Sequence, residues 1–211
     1  MSRHVGSSCR LCRREATKLF LKGTKCLTEK CPVDRRAYPP GQHGQGSGRP
    51  RKASEYSRQL REKQKVKRMY GLTERQFRNT YDAVTREPGV KGTNLLVALE
   101  TRLDNIVYRM GFAASRKAAR QLIGHGHVEV NGRRVDIPSY RVVPGEEVRV
   151  APASRELTAV QAAQEHAARG VPVSWISVDA SNAAGRLVER PTRDTIPINA
   201  QEQLIVELYS K

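Results

Sequence analysis

The stretch from Ser115 to Gly132, SRKAARQLIGHGHVEVNG, contains a helical pattern that gives way directly to a strand pattern. Ser115 has the side chain of an N-cap. At 100° per residue the basic side chains that follow fall on one face of the helix, and the small and apolar ones fall on the other. Beyond position 126 apolar and polar residues alternate, and Asn131-Gly132 is the strongest short signal for a two-residue hairpin turn. The stretch therefore predicts a short amphipathic helix that leads into an antiparallel hairpin.

Helices are predicted before this hairpin, and mostly short strands after it. Ser54 starts a long charged helix, and Thr73 with Gln76 has the pattern of a capping box for a second one. The expected helices are 55–70, a second from 73 to the break at 87–89, 93–110, 115–124 and 157–168. The expected strands are 127–130, 134–137, 147–150, 175–178 and 185–189, and a further apolar segment follows at 204–209. Helices followed by a small antiparallel sheet indicate the α+β class.

The charge of the chain points to a polyanionic partner. Its 211 residues include 38 Lys and Arg against 21 Asp and Glu, which gives a net charge of +17. Residues 1–90 contain 22 of the basic and 8 of the acidic side chains, whereas residues 154–211 are close to neutral. Basic side chains that pair along helices need an equal number of acidic ones, which this chain lacks. The excess of positive charge therefore favours nucleic acid as the partner.

Composition also argues against a membrane protein and a secreted one. The longest apolar runs have five residues, 95–99 among them, whereas a membrane span needs about twenty. The first part of the chain carries charges every few positions and has no apolar signal-peptide region. We therefore expect a cytoplasmic protein.

All four cysteines lie near the start of the chain, as Cys9-x₂-Cys12 and Cys26-x₄-Cys31. Two such pairs can converge on one ion, and four thiolates in tetrahedral geometry form a structural zinc site. Disulfides are disfavoured in a cytoplasmic chain, and the clustering disfavours four unrelated thiols. An iron–sulfur cluster is the alternative, because it also takes four cysteines and Pro32 follows the last of them. The predicted ligands of structural Zn²⁺ are Cys9, Cys12, Cys26 and Cys31.

Candidate RNA-binding side chains occur in two regions: the loop and long helix at 49–68, and the short helix with its hairpin at 115–141. Only Glu55 and Glu62 within the long helix can pair with its cations, so most of them are expected to need an outside counter-ion. The short helix and hairpin predict a concave basic corner that recognises the shape and phosphates of folded RNA. A solvated helix face is the ordinary alternative for both. The candidates are Arg49, Arg51, Lys52, Arg58, Arg61, Lys63, Lys65, Lys67, Arg68, Arg116, Lys117, Arg120, Gln121, His125, Asn131, Arg133, Arg134 and Arg141.

Three segments, 102–112, 115–123 and 126–132, closely resemble an RNA-binding module named after protein four of the small ribosomal subunit. The module alone is shared with pseudouridine synthases, tyrosyl-tRNA synthetases and a heat-shock RNA binder. Further stretches resemble the bacterial ribosomal protein four family itself: 38–44 (YPPGQHG), 60–65, 75–79, 138–141 and 203–210. The cysteine pattern is similar to the metal-binding branch of that family.

This resemblance implies a division of the chain into four parts. They are an N-terminal metal-binding segment and loop at 1–45, a helical domain at 46–98, the RNA-binding module with its small sheet at 99–175, and a C-terminal segment at 176–211 that returns to the helical domain. Helices packed on an antiparallel sheet are expected in the module.

The resemblance also implies a structural constituent of the small ribosomal subunit. Family members bind the 5′ domain of small-subunit ribosomal RNA early in assembly, and some repress translation of their own messenger. They line the channel through which messenger RNA enters. The implied neighbours are other small-subunit proteins, protein five first and protein three as a further candidate. No membrane and no small-molecule substrate are expected.

Two other classes share the module. An RNA-modifying enzyme of the pseudouridine synthase type would need an aspartate after Gly-Arg-Leu, but Val188 follows that tripeptide here. Too few residues follow the module for a catalytic domain, so we expect no enzyme. A free RNA-binding protein, such as a rescue or stress factor, would need neither the cysteine segment nor the long basic helix.

Overall fold

The computed structural model describes residues 4–42, 44–45, 54–167 and 173–210. The α-helices are α1 (Ser8–Arg14), α2 (Pro32–Arg35), α3 (Glu55–Met69), α4 (Glu74–Val84), α5 (Lys91–Glu100), α6 (Leu103–Arg109), α7 (Arg116–Gly124), α8 (Thr158–Ala167) and α9 (Glu202–Tyr209). The strands are β1 (Val128–Val130), β2 (Arg133–Arg134), β3 (Glu147–Val150), β4 (Ile176–Asp179) and β5 (Ala184–Leu187). Short 3₁₀ helices lie at Gly23–Cys26 and Pro152–Ser154. This confirms the α+β class.

The chain divides into two compact units. The first consists of residues 1–95 and 198–211, and the second, residues 96–197, is inserted between them in the sequence. Strands β4 and β5 belong to the sheet of the second unit. The segment that returns to the first unit therefore begins at Ile198, later than the boundary expected at 176. In the described part of the chain, no helix has both the length and the apolar character needed to cross a membrane.

The start of α4 has the cap that the sequence predicts. The Thr73 hydroxyl accepts a hydrogen bond from the backbone N–H of Gln76, whose side chain accepts one from the backbone N–H of Thr73. This reciprocal capping box satisfies two N–H groups that have no partner within the helix. The preceding helix α3 begins in the predicted way, since the Ser54 hydroxyl accepts from the backbone N–H of Ser57.

The predicted helix over 93–110 is in fact two helices, α5 and α6. Arg102 between them is extended, with φ −66° and ψ 139°. Backbone groups at this break pair with a distant loop: the N–H of Leu103 donates to the carbonyl of Tyr140 at 2.8 Å, and the N–H of Val142 donates to the carbonyl of Thr101 at 2.9 Å. These bonds replace the hydrogen bonds of a continuous helix. The helix is therefore interrupted at Arg102, although the apolar repeat in the sequence continues through it.

The second unit is built on a five-stranded antiparallel sheet with the order β2-β1-β3-β5-β4. Alternate residues of β1 and β3, such as Val128 and Val148, are buried against a core that includes Ile106, Ile123 and Trp175. The polar residues between them form the outer face of the sheet. This is the alternation expected of a sheet with one solvated face.

The hairpin turn at Asn131-Gly132 is confirmed. Both residues have positive φ, 49° and 76°, as a type I′ turn requires. The return strand covers only Arg133–Arg134, which is shorter and earlier than the predicted 134–137. Two exposed arginines therefore follow the turn directly.

The C-terminal apolar segment forms α9, which packs on α3 within the first unit. The ring of Tyr209 stacks on that of Tyr81, with centroids 4.6 Å apart. Its hydroxyl donates to Glu74 at 3.1 Å, and burial next to this carboxylate raises the pKa of Tyr209. Glu74 also pairs with Lys63 at 2.6 Å and with Lys67 at 2.7 Å. One carboxylate thus joins α3, α4 and α9.

Replacement of Glu74 by Gln is expected to destabilise the protein by about 1 kcal/mol at pH 7, a modest effect because the carboxylate is half exposed. Partial burial acts to raise the pKa of Glu74, but hydrogen bonds and charges from Lys63 and Lys67 outweigh it and lower the pKa to about 2. Stability from a lowered pKa is present above the ordinary pKa of glutamate and is lost as the pH falls towards 2. Urea unfolding at pH 7, 5 and 3 should therefore show the difference shrinking in acid.

The matched control for this experiment is Glu29→Gln, at an exposed glutamate that makes no ion pair within the described residues. It should leave stability unchanged at each pH. A difference between wild type and Glu74→Gln that is equally large at pH 3 would contradict the assigned interaction.

Candidate nucleic-acid interface

Helix α7 and the hairpin β1–β2 together present an exposed polar face. Lys117, Gln121 and His125 lie on the exposed side of α7 and at its end, and Arg133 and Arg134 follow the hairpin turn. All five were predicted to contact RNA, and all five are exposed. We call these five residues the α7–hairpin face.

A direct hydrogen bond joins the two halves of this face. The Arg134 side chain donates from Nη2 to the backbone carbonyl of His125 at 3.1 Å. Between the helix and the strand, Gly126 adopts φ +74°, a conformation that side chains rarely allow. The tight turn at this glycine places the end of α7 next to the start of the sheet.

Arg116 and Arg120 do not belong to this exposed face, and the expectation that they form an exposed ridge is wrong. Arg116 is buried, donates from Nε to Asn105 Oδ1 at 2.8 Å and stacks over the ring of Tyr108. Arg120 is largely buried and forms an ion pair with Asp104 at 2.7 Å. Both guanidinium groups hold α7 on α6.

Two buried carboxylates are the acceptors in this contact. Asp104 accepts from Arg102 at 2.9 Å as well as from Arg120, and its side chain is 2% exposed. Glu100 is fully buried and accepts from Arg109 at 2.7 Å and from Asn105 at 2.6 Å. We call this set the buried ionic network: Glu100, Arg102, Asp104, Asn105, Arg109, Arg116 and Arg120.

Two further predicted RNA contacts lie in the second unit. Asn131 Oδ1 accepts from the backbone N–H of Glu147 at 2.9 Å, and its Nδ2 donates to Glu146 at 3.4 Å. Its polar atoms therefore serve the hairpin turn. Arg141 is exposed and lies opposite Arg102 in an isolated antiparallel bridge.

The cations of α3 are mostly paired within the first unit, contrary to expectation. Arg61 and Arg68 both form ion pairs with Glu15, whose side chain is 2% exposed. Burial raises the pKa of Glu15, and the two arginines oppose that effect. Lys65 pairs with Glu62 at 2.7 Å.

The expectation failed because the acceptors are distant in sequence. Lys63 and Lys67 are paired with Glu74, and Glu15 comes from the cysteine-containing segment. Arg58 remains exposed on α3, with no side-chain partner in the described residues. The predicted contacts Arg49, Arg51 and Lys52 lie outside the part of the chain that the structure describes.

Sequence reasoning missed two other groups of cations. The N-terminal segment exposes seven that are not among the predicted RNA contacts: Arg10, Arg14, Lys22, Lys25, Lys30, Arg35 and Arg36. On the outer face of the sheet, Arg149, Arg155 and Arg186 were not singled out at all. The sequence pattern could have identified them, because they lie in or next to strands in which every second residue is buried, so the residues between face outwards.

The four cysteines have free thiols, and Cys12, Cys26 and Cys31 are buried while Cys9 is half-buried. Burial raises the pKa of Cys12, and the other three thiols raise it further. The backbone N–H of Lys22 donates to Cys26 Sγ at 3.4 Å. Within the described residues, no three Cys, His, Asp or Glu side chains are grouped in a metal-binding arrangement. The donor chemistry suits zinc, since four soft sulfur ligands lie in one segment.

Comparisons with known proteins match the whole chain. Residues 3–100 match the family model described as Ribosomal protein S4/S9 N-terminal domain, and residues 101–148 match the one described as S4 domain. Curated proteins named Small ribosomal subunit protein uS4 are 54% identical over 212 residues in Thermodesulfovibrio yellowstonii, 53% over 211 in Pelotomaculum thermopropionicum and 51% over 212 in Thermus thermophilus. Each match covers 100% of both chains.

Replacement of Asp104 by Asn is expected to destabilise the protein by about 3 kcal/mol, because it removes the buried negative charge with which Arg102 and Arg120 pair. Urea unfolding at pH 7 measures the change. The control is Asp82→Asn, which removes an exposed partner of Arg78 at 4.0 Å and should cost less than about 0.5 kcal/mol. Equal effects of the two substitutions would show that the buried ionic network does not hold α7 in place.

Proposed function

Since this chain belongs to the uS4 family of small ribosomal subunit proteins, we propose that it is a structural component of the small subunit that binds ribosomal RNA. The relatives at 51–54% identity carry that ribosomal name over their whole length. The observation that carries RNA binding is the α7–hairpin face, which lies within the S4-domain match at 101–148. A ribosomal protein, not an RNA-modifying enzyme, is what the family implies.

The α7–hairpin face binds RNA by shape and charge. Lys117, Arg133 and Arg134 supply exposed cations for phosphates, and Gln121 and His125 supply hydrogen-bonding groups between them. Phosphate contacts fix position and orientation without reading sequence, as recognition of folded RNA requires. The buried ionic network acts indirectly, since its arginines hold α7 where these side chains can act together.

The proposed RNA site is the 5′ domain of small-subunit ribosomal RNA, which the resemblance implies. The same resemblance supports a place beside the channel through which messenger RNA enters, neighbouring proteins five and three, and repression of the protein's own messenger. Cytoplasmic, ribosome-bound localisation follows from the same role. The neutral C-terminal part of the chain supports a protein neighbour over RNA there.

Removal of two cations from the α7–hairpin face, Lys117→Ala with Arg133→Ala, is expected to weaken binding to a 5′-domain transcript about tenfold or more. It should also make the slope of log affinity against log salt shallower by about 1 to 2, since two phosphate contacts are lost. A filter-binding titration over a salt series measures both quantities, with bulk transfer RNA as competitor.

The control variant removes the same charge elsewhere, as Arg75→Ala with Arg86→Ala, both exposed in the first unit. Its effect should be the small one of reduced net charge. If the two double variants lose the same affinity, the α7–hairpin face is not a specific RNA site. If wild type binds the transcript no better than transfer RNA, the ribosomal RNA proposal itself fails.

We propose further that the four cysteines hold a structural zinc ion, with an iron–sulfur cluster as the alternative. Cys9, Cys12, Cys26 and Cys31 are free thiols in one short segment, and burial together with neighbouring thiols raises the pKa of Cys12 and Cys26. Bound zinc would supply the positive charge that keeps all four deprotonated. Their role is to join α1 to the turns around Cys26 and Cys31, where short helices bury too little apolar surface to fold alone.

Replacement of Cys26 by Ser is expected to lower zinc content from one equivalent to well below half, as measured by elemental analysis of purified protein. Backbone amides of residues 4–42 should then exchange with deuterium faster, while those of the second unit stay protected, because the two units are separately compact. Ser8→Ala, beside the ligands in α1, is the control and should retain the metal. Wild-type zinc in Cys26→Ser would contradict the four-cysteine site, and iron in wild type would favour the cluster.

A further inference from the structure

A polar cleft of about 360 Å³ lies on the outer face of the five-stranded sheet, within the second unit. Strands β3, β5 and β4 form its floor, and the chain that follows the 3₁₀ helix at Pro152–Ser154 forms one wall. Its basic lining consists of three arginines that sequence analysis did not single out: Arg149, Arg155 and Arg186. We call it the sheet cleft.

The guanidinium of Arg155 has unused hydrogen-bonding capacity. Its Nε is buried and makes no hydrogen bond to any described residue. Nearly all buried polar groups in folded proteins have a partner, so a charged group left without one is a candidate for binding a ligand.

The other two arginines leave most of their donors free. Arg186 is exposed and forms no ion pair within the described residues, although it faces Glu147 across the strands in register. Arg149 donates from Nε to Glu129 at 2.7 Å, which occupies one of its five N–H groups. Three guanidinium groups therefore line the cleft with many more donors than they use.

The acidic residues of the cleft do not use up these donors. Asp179 accepts hydrogen bonds from the backbone and hydroxyl of Ser181 and from Asn182, so its oxygens are already occupied. Glu147 forms no ion pair in the described part of the chain. Ser177 adds a hydroxyl donor on β4. The donors that remain in the cleft suit an oxyanion that can accept several hydrogen bonds.

We propose that the sheet cleft binds a phosphodiester group of RNA through Arg155 and Arg186, as a second contact besides the α7–hairpin face. A phosphodiester carries one charge on two free oxygens, and a guanidinium can bind both of them in parallel. This inference rests on the proposed RNA-binding function, and it names residues of that function outside the segment that matches the S4 domain.

The position of the cleft favours RNA over an acidic protein segment. Both sites belong to one sheet, and strand register places Arg134 of β2 on the same face as Arg149 of β3 and Arg186 of β5, with β1 and β3 between β2 and β5. Three strand spacings amount to about 14 Å, so one folded RNA can reach both sites at once. An acidic peptide would have no such continuity with the α7–hairpin face.

The test measures affinity of the full-length protein for a 5′-domain transcript over a salt series, with Arg186→Gln and Arg155→Lys as separate variants. Arg155→Lys keeps the charge and the stem but removes the fork and its Nε. Each variant is expected to bind about five- to tenfold more weakly, and Arg186→Gln should reduce the salt slope by about 1. Arg75→Gln is the matched control and should change affinity less than about twofold.

A second readout follows the Arg155 Nε–H signal by NMR in wild type, which distinguishes a direct contact from loss of fold. Addition of the transcript should shift this signal, whereas a polyglutamate peptide should not. Wild-type affinity in both variants, with wild type still preferring the transcript to transfer RNA, would overturn the cleft and leave the proposed function standing. A shift with polyglutamate alone would make the cleft a protein-docking site. No preference of wild type for the transcript would overturn both proposals.

Discussion

The buried ionic network is the constraint on which the second unit depends. Two carboxylates, Glu100 and Asp104, lie at the break between α5 and α6 with almost no exposure to solvent. A buried charge is tolerated only when it is paired and hydrogen-bonded, so these acids fix the groups that reach them. Arg120 of α7 pairs with Asp104 directly, and Arg116 of α7 is joined to Glu100 through Asn105. The hydrogen bonds and ion pairs that neutralise the two buried carboxylates therefore also fix the position of α7. The buried arginines of α7 in this way position the exposed side chains of the α7–hairpin face.

Many cations of this basic protein are paired internally and are not available to bind RNA. Counting Lys and Arg in α3 overestimates the charge available to RNA, because Glu15 and Glu74 neutralise four of these side chains from other elements. Within the described residues, further exposed cations lie on the N-terminal segment, on the α7–hairpin face and in the sheet cleft. A salt-dependent affinity reports free cations alone, since an internally paired cation releases no counter-ion on binding.

The sequence predicted correctly those features that depend on residues close together in the chain. The capping box at Thr73 and the turn at Asn131-Gly132 depend on residues a few positions apart, and both are confirmed. The break at Arg102 was missed because its cause is a set of hydrogen bonds to 138–142, while the apolar repeat runs on without interruption. The burial of Arg116 was missed for the same reason, since helical periodicity places it on the basic side of α7, whereas its contacts with Asn105 and Tyr108 come from α6.

Recognition of one particular RNA depends on the rigidity of the cations as well as on their charge. A flexible basic chain binds any polyanion, because its cations can follow whatever phosphates are present. Cations attached to a framework held by buried ion pairs cannot do so, and they favour an RNA whose phosphates already stand at the matching spacing. With Arg134 and Arg186 on the same face of one sheet, that spacing is set by strand pairing. Specificity for a folded RNA can thus arise without any side chain reading a base.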